Sequence, residues 1–440
     1  MCRRIILKKI FAKLKNENSN LLSKVGLVAS GTLFAQIISI TVSPIITRLF
    51  PADQYGIMSV FISTTSIINI ASSLDYNKAI PIINTDEDAR AMVQVCITIL
   101  LCFTGIIALL CLVLPKSLFE FIGIGSIFPY RWTLPLSVVF VGIYNILLQW
   151  VYRRRAYIIV TKTKIIQALA GSIIKILAGL LMFGPVGLLV GIIVSEAAGL
   201  TTIVKKLKND TKNNITNPDK VTKKGLLRKY YKFAAFSLPA DFIDNFCNQI
   251  PVLSLAGFFG TGVSGYYGLA NTVIIIPINL IIVSMSKVVY AEAARIGKDN
   301  PYEIKKLCLR TTKMVFYIIT IPCIIIVIWG PQLFGLVFGQ TWLESGEYAR
   351  LMIGRIIAFS LVLPIGRMLE IFGYQQYDLA INIGRFVLIA VAVFAINILK
   401  LNSYNTVLLL SSVNMIAYAV LYGVIMWCIE KHIMLQKTIE

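Results

Sequence analysis

Twelve long apolar segments leave this chain few ways to fold. They run over 25–47, 55–75, 91–114, 132–152, 165–183, 186–204, 233–257, 265–289, 312–338, 349–372, 379–399 and 404–429. At 1.5 Å rise per residue, a helix over each covers a hydrocarbon layer of about 30 Å. Charged residues make up 14% of the 440, against about 25% in an average soluble protein. Too few polar groups remain to clothe a water-facing surface of this size. The pattern excludes a secreted globular enzyme and a disordered scaffold. It predicts an all-α polytopic membrane protein of twelve transmembrane helices.

The charges that do occur are one-sided. The formal net charge is +21, a value that in a soluble chain would suggest a nucleic-acid partner. Here the bases sit between apolar runs, so no nucleic acid is expected. Of 42 Lys and Arg, 32 fall in alternate loops, and only Arg48, Lys116, Arg131, Arg350 and Lys400 fall in the opposite set. The positive-inside rule then places both termini in the cytoplasm. Residues 1–24 interleave Arg3, Arg4, Lys8, Lys9, Lys13 and Lys15 with Ile6, Ile10 and Leu14. That segment reads as a basic amphipathic helix lying on the anionic leaflet, not as a cleaved signal. The basic stretch 205–232 reads as a flexible cytoplasmic linker. It divides a six-helix bundle at 25–204 from a second at 233–430, followed by a cytoplasmic tail at 431–440.

The two halves share a faint pattern. Phe50 and Tyr55-Gly56 in the first correspond to Phe259 and Tyr267-Gly268 in the second. Both halves start on the same side, so a repeat would be parallel, with its axis along the membrane normal. This is an alternating-access plan with a cavity between two bundles.

No enzymatic chemistry stands out. The only histidine is His432, which removes His-based zinc sites and a Ser-His-Asp triad. The eight cysteines form no CxxC and read as apolar packing residues. Gly260-Thr261-Gly262-Val263-Ser264-Gly265 matches GxGxxG but follows no strand, so it reads as a flexible turn. Asp86-Glu87-Asp88 reads as a solvated acidic turn, and no GxxxxGK[ST] occurs. No catalytic residue, metal or cofactor is expected.

Charges inside apolar segments are the informative residues. Each costs at least about 2.5–3.5 kcal/mol at a helix centre and should face a partner or a cavity. Lys175 lies ten residues before Pro185 and Glu196 eleven after it. A turn at Pro185 would put the two at one depth, able to pair or to flank a watery site. Arg367 and Glu370, three apart, can pair on one helix face. Arg367 and Arg385 are each nine residues from a turn near Gln376. Their guanidinium groups could grip a pyrophosphate together, or snorkel separately to the headgroups. Arg48, Arg355 and Lys287 complete the candidate cavity cations. Glu196, Asp241, Asp244, Glu370 and Asp75 are candidates for coupling to protons or cations; Asp75 and Lys78 close the second segment and can equally be interfacial.

Beyond these patterns, a resemblance emerges. Gly31-Thr32-Leu33-Phe34-Ala35-Gln36, Ser43-Pro44-Ile45-Ile46-Thr47-Arg48-Leu49-Phe50, Phe236-Ser237-Leu238-Pro239-Ala240 and Gly265-Tyr266-Tyr267-Gly268-Leu269-Ala270-Asn271 resemble the polysaccharide repeat-unit flippases of the O-antigen type. Asn248-Gln249-Ile250-Pro251-Val252-Leu253 and Glu292-Ala293-Ala294-Arg295 agree. These flippases belong to the multidrug/oligosaccharidyl-lipid/polysaccharide exporter superfamily. The resemblance implies a two-bundle transporter in the bacterial inner membrane. Its substrate would be an undecaprenyl-pyrophosphate-linked glycan moved from the cytoplasmic to the periplasmic leaflet. The partners implied are membrane lipids, a polysaccharide polymerase and a chain-length regulator. Arg48 matches the family position. Asp75 stands where relatives carry the Arg of an Arg-Tyr-Glu run, so no substrate role is carried over there. An organic-cation antiporter of the same superfamily, with an acidic cavity, and a membrane polysaccharide polymerase are the alternatives.

Overall fold

The computed structural model describes residues 31–211, 223–298 and 300–439, which are helical and turn structure with no strand among them. The expectations for 1–24 and for most of 205–222 lie outside the described residues. The long helices are α1 Gly31–Leu49, α2 Ala52–Ala71, α3 Asp86–Val113, α4 Thr133–Arg153, α5 Tyr157–Leu180 and α6 Pro185–Thr211. After the linker come α7 Leu238–Phe259, α8 Thr261–Ile296, α9 Pro301–Phe338, α10 Leu343–Val362, α11 Gln375–Leu399 and α12 Ser403–Ile439. Among the described residues, nine helices are long and apolar enough to cross a membrane, or ten if α2 and the short 3-10 helix Tyr76–Ile82 count as one bent span. The protein is a multi-pass, all-α membrane protein. Neither α7 nor α10 is among the nine.

Several boundaries differ from the sequence reading for local reasons. The second segment was expected to run to 75, yet α2 stops at Ala71. Leu74 (φ 49) and Asp75 (φ 59) are left-handed, and the chain resumes at 62° in Tyr76–Ile82. The tenth segment breaks after Val362 because Pro364 cannot continue a helix. A short helix, Met368–Phe372, follows with Arg367 at its N-cap. Asp86-Glu87-Asp88 is the first turn of α3, not a loose turn. Thr85 caps it by accepting the Asp88 amide at 3.1 Å. Arg153 and Arg154 pin Asp86 at 2.9 and 3.0 Å. The acids thus sit at the positive pole of a helix. Part of the expected flexible linker is also ordered: Lys223–Lys229 is a short helix whose Leu226 is buried in the core with Met92, Cys96 and Trp150. The expected tail from 431 onward continues α12, and His432 packs on Phe372 and Tyr374.

The molecule has two dissimilar ends. The basic end carries Lys78, Arg153, Arg154, Lys305 and residues 223–237. At the other end, one apolar core joins both halves of the chain through Phe50, Tyr55, Tyr267, Trp342 and Tyr348. There α2 and α8 cross at backbone contact. A Cβ at Gly56 would overlap the Thr261 carbonyl, and one at Gly265 the Ala52 carbonyl. Gly260-to-Gly265 is therefore a packing surface: Gly260 (φ 91) separates α7 from α8, and the rest lies in α8. The matching patterns of the two halves meet here, with Gly56 against Gly265 and Gly268 against Ser59. Trp342 Nε1 donates to the Thr47 carbonyl at 3.0 Å, Thr47 Oγ1 to Phe338 at 3.2 Å, and Thr261 Oγ1 to Asp53 at 3.0 Å. Small residues that allow such close approach are how helices gain contact where lipid removes the hydrophobic incentive. This is the sealed end.

Candidate functional site

Two polar cavities open beneath the seal. The first, about 420 Å³, lies between the halves. α2 contributes Thr65, Ser66 and Asn69, the break after it Asp75 and Lys78, α4 Asn145, α6 Glu196, and α7 Asp241 and Asn245. Asn245 and Ser66 hydrogen-bond across the gap at 3.1 Å. The second cavity, about 400 Å³, is built within the C-terminal half from Asp241, Asp244, Asn248, Arg367, Glu370 and Asp378. Asp241 borders both.

Lys78 joins the halves at the basic end. Its ammonium contacts Asp75 at 3.0 Å, Ser237 Oγ at 3.2 Å, and Asp241. Tyr76 adds a hydroxyl donation to the Leu227 carbonyl at 3.4 Å. Asp75 is 5% exposed and held by its left-handed backbone.

The Lys175–Glu196 pair expected from the sequence does not form. The turn spans 181–184, with Met182 (φ 56) and Gly184 (φ 60) left-handed, so its centre lies before Pro185. The register then sets Gly191 against the Lys175 side chain and Gly199 against Gln167. Glu196 accepts from Gln167 Nε2 at 2.8 Å, and Ser195 Oγ donates to the Gln167 carbonyl at 2.8 Å. Lys175 has no hydrogen bond or ion pair to a described residue and does not line either polar cavity.

Nor do Arg367 and Arg385 act as one clamp. Arg385 is 2% exposed and all three of its nitrogens are used. They reach Asp244 at 2.9 Å, Asn248 at 2.6 Å and Asn414 at 2.8 Å, tying α11 to α7 and α12. Arg367 forms a fork to Glu370 at 2.9 and 3.1 Å and lies over the Tyr290 ring at 3.9 Å. Arg355 is 7% exposed and donates to Asn271 at 2.8 Å. Arg48, at the end of α1, and Lys287 are exposed.

A wall of free cations, expected from the sequence, is therefore not what surrounds the cavities. The first cavity carries Asp75, Glu196 and Asp241 against Lys78. The second carries Asp241, Asp244, Glu370 and Asp378 against Arg367. The reason is local: Arg385, Arg367 and Arg355 are held by acids or amides, Arg48 and Lys287 are exposed, and Lys175 lines neither cavity. Of the expected coupling acids, Asp75 and Asp241 are paired to Lys78, Asp244 to Arg385 and Glu370 to Arg367. Among the described residues, Glu196 has only an amide partner. Sequence reasoning missed Asp378, one residue ahead of its apolar segment, and set Lys78 aside as a border residue. The neutral lining also matters: Asn69, Asn77, Asn145, Asn245, Ser66 and Ser72 offer both donors and acceptors.

No curated protein matches this chain. Solved structures do, at identities that show the fold alone. A lipid II flippase, MurJ, in an inward closed conformation is 13% identical with a TM-score of 0.71, covering 94% of this chain and 92% of its own. An inward-facing multidrug resistance MATE transporter of the MOP superfamily is 14% identical with a TM-score of 0.61, covering 93% and 95%. A MOP superfamily transporter from Pyrococcus furiosus, described as having a binding pocket of reversed polarity, is 16% identical with a TM-score of 0.59, covering 93% and 95%. A family model described as polysaccharide biosynthesis protein matches residues 45–347, more than half the chain. With the MOP-type transporter fold around it, that match makes this chain a member of the polysaccharide biosynthesis protein family.

Proposed function

We propose that the protein is a flippase that carries an undecaprenyl-pyrophosphate-linked oligosaccharide across the bacterial inner membrane. The basic end faces the cytoplasm, as the positive-inside rule requires, and the glycan moves toward the periplasmic leaflet. It is then available to a polysaccharide polymerase and a chain-length regulator. The transporter performs no covalent chemistry itself.

The observation that carries this reading is the cavity between the halves, where the amides and hydroxyls of Asn69, Asn145, Asn245, Ser66 and Ser72 line the wall beside Asp75, Lys78, Glu196 and Asp241. A lipid-linked glycan leaves its tail in the bilayer, so the obstacle is desolvation of the sugar and the phosphate. Asn and Ser groups substitute for water around sugar hydroxyls and tolerate many sugars. Glu196 lines the cavity between the halves and has no ion-pair partner among the described residues, which makes it the acid there most suited to carry a proton or cation during the return of the empty carrier.

The excess of carboxylates on both cavity walls supports a second reading, an organic-cation antiporter. One experiment separates them. Deleting the gene should abolish surface polysaccharide and trap lipid-linked intermediates in the cytoplasmic leaflet. Normal polysaccharide, combined with uptake of a cationic dye by proteoliposomes, would favour the antiporter.

A further inference from the structure

We propose that Lys78 receives the phosphate of the lipid-linked substrate, and that Asp241 occupies this place until the substrate arrives. Loading then releases the contact that joins the two halves at the basic end. This rests on the flippase reading and adds to it a recognition residue.

Position comes first. Among the described residues, Lys78 is the one base lining the cavity between the halves. Its partners come from both sides: Asp75 from its own segment, Ser237 and Asp241 from the opposite half. An ammonium has three donors, and these three acceptors take them all.

The two aspartates differ in a way that assigns their roles. Asp75 is buried, three residues away, and fixed by its left-handed backbone. It keeps the lysine aimed into the cavity. The Asp241 side chain is 44% exposed, and that of Lys78 37%. An ion pair so open to water is weak and readily exchanged. A phosphate offers oxygens of the same kind with more charge, so it competes directly for the ammonium. Once it is seated, Asp241 has lost its counterion and faces an added negative charge. Repulsion between like charges then drives α7 away from the 76–82 segment. The acid excess of the cavity thus becomes part of the device: the anion is admitted by one base and the surrounding carboxylates turn its arrival into movement.

The test uses the full chain in nanodiscs of uncharged lipid. Geranylgeranyl diphosphate is the probe, with geranylgeraniol and inorganic diphosphate as controls. Binding is followed by calorimetry, and opening by hydrogen exchange over 72–82 and 233–245. The lipid diphosphate should bind and raise exchange in both segments. Lys78→Gln should weaken binding about tenfold or more, as loss of a charge-assisted hydrogen bond implies, and Lys78→Arg should keep it. Asp241→Asn should raise exchange without ligand and bind the probe more tightly. Equal binding by Lys78→Gln overturns the proposal and leaves the flippase reading standing. If Lys78→Gln fails to fold, unchanged or weaker binding by Asp241→Asn overturns it instead. Inorganic diphosphate binding as tightly as the lipid would overturn the assignment to a lipid headgroup. A wild-type protein that ignores the lipid diphosphate but binds a cationic dye removes both readings.

Discussion

The sealed end and the basic end hold the same two halves together by opposite means. At the sealed end, α2 and α8 meet through Gly56 and Gly265 with no room for a side chain, and Tyr55 and Tyr266 pack edge-on against Trp342 at 5.4 and 5.7 Å. At the basic end, beside the buried Leu226, the joins include the polar contacts of Lys78 to Ser237 and Asp241 and of Tyr76 to Leu227. Close packing has one solution and fails all at once. A few half-exposed polar contacts have many near-equivalents, including water and substrate. On the proposed mechanism, the end joined by polar groups is the one that opens first.

The largest test of this contrast is Gly56→Val. The added methyls meet the Thr261 backbone, which cannot rotate away. We expect a loss of about 3 kcal/mol in folding stability, read as a fall in thermal midpoint in detergent, together with loss of transport. A variant as stable as wild type would show that the seal is not close-packed. Arg385→Ala comes next. It leaves Asn248 and Asn414 without their donor inside the C-terminal half. The expected cost is about 2–3 kcal/mol, softened because Asp244 can turn to water. Protein level should fall along with export. Intact level with lost export would instead restore Arg385 as a substrate contact.

Asp241→Ala should cost under about 1 kcal/mol, since the pair it breaks is half-exposed. A loss comparable to that of Gly56→Val would erase the distinction between the ends. The smallest effect belongs to Lys175→Met. Among the described residues no acid pairs with the ammonium, and methionine matches the length of its four-carbon stem, so stability should change by less than about 1 kcal/mol. Export should persist; its abolition would return Lys175 to the transport path.

Most of the architecture could be read from the chain because burying apolar runs in lipid is a strong, local demand. The site was harder because it depends on register. An error of two to three residues in the centre of the α5–α6 turn moves an antiparallel partner by about five positions, or roughly 7 Å. Lys175 was thereby assigned an acid that in fact faces Gln167. Gly184 before Pro185 marks the turn, but nothing at the left-handed Met182 shows that the turn begins two residues earlier. Lys78 was undervalued for a related reason. The helix before it ends at Ala71, and nothing in Ser72-Ser73-Leu74-Asp75 announces two successive left-handed residues. Arg385 shows the other limit: a buried guanidinium is visible as a cost in the sequence, but which of several acids and amides meets that cost is decided by packing.

The elbow at Leu74 and Asp75 has a mechanical consequence. It divides a bent helix pair into an upper arm, clasped to α8, and a short forearm bearing the lysine. A swing of the forearm needs rotation about only a few backbone bonds. On the proposed mechanism the carrier thus unlocks its entrance without loosening the clasp on the far side, and the membrane stays proof against leakage while cargo comes aboard.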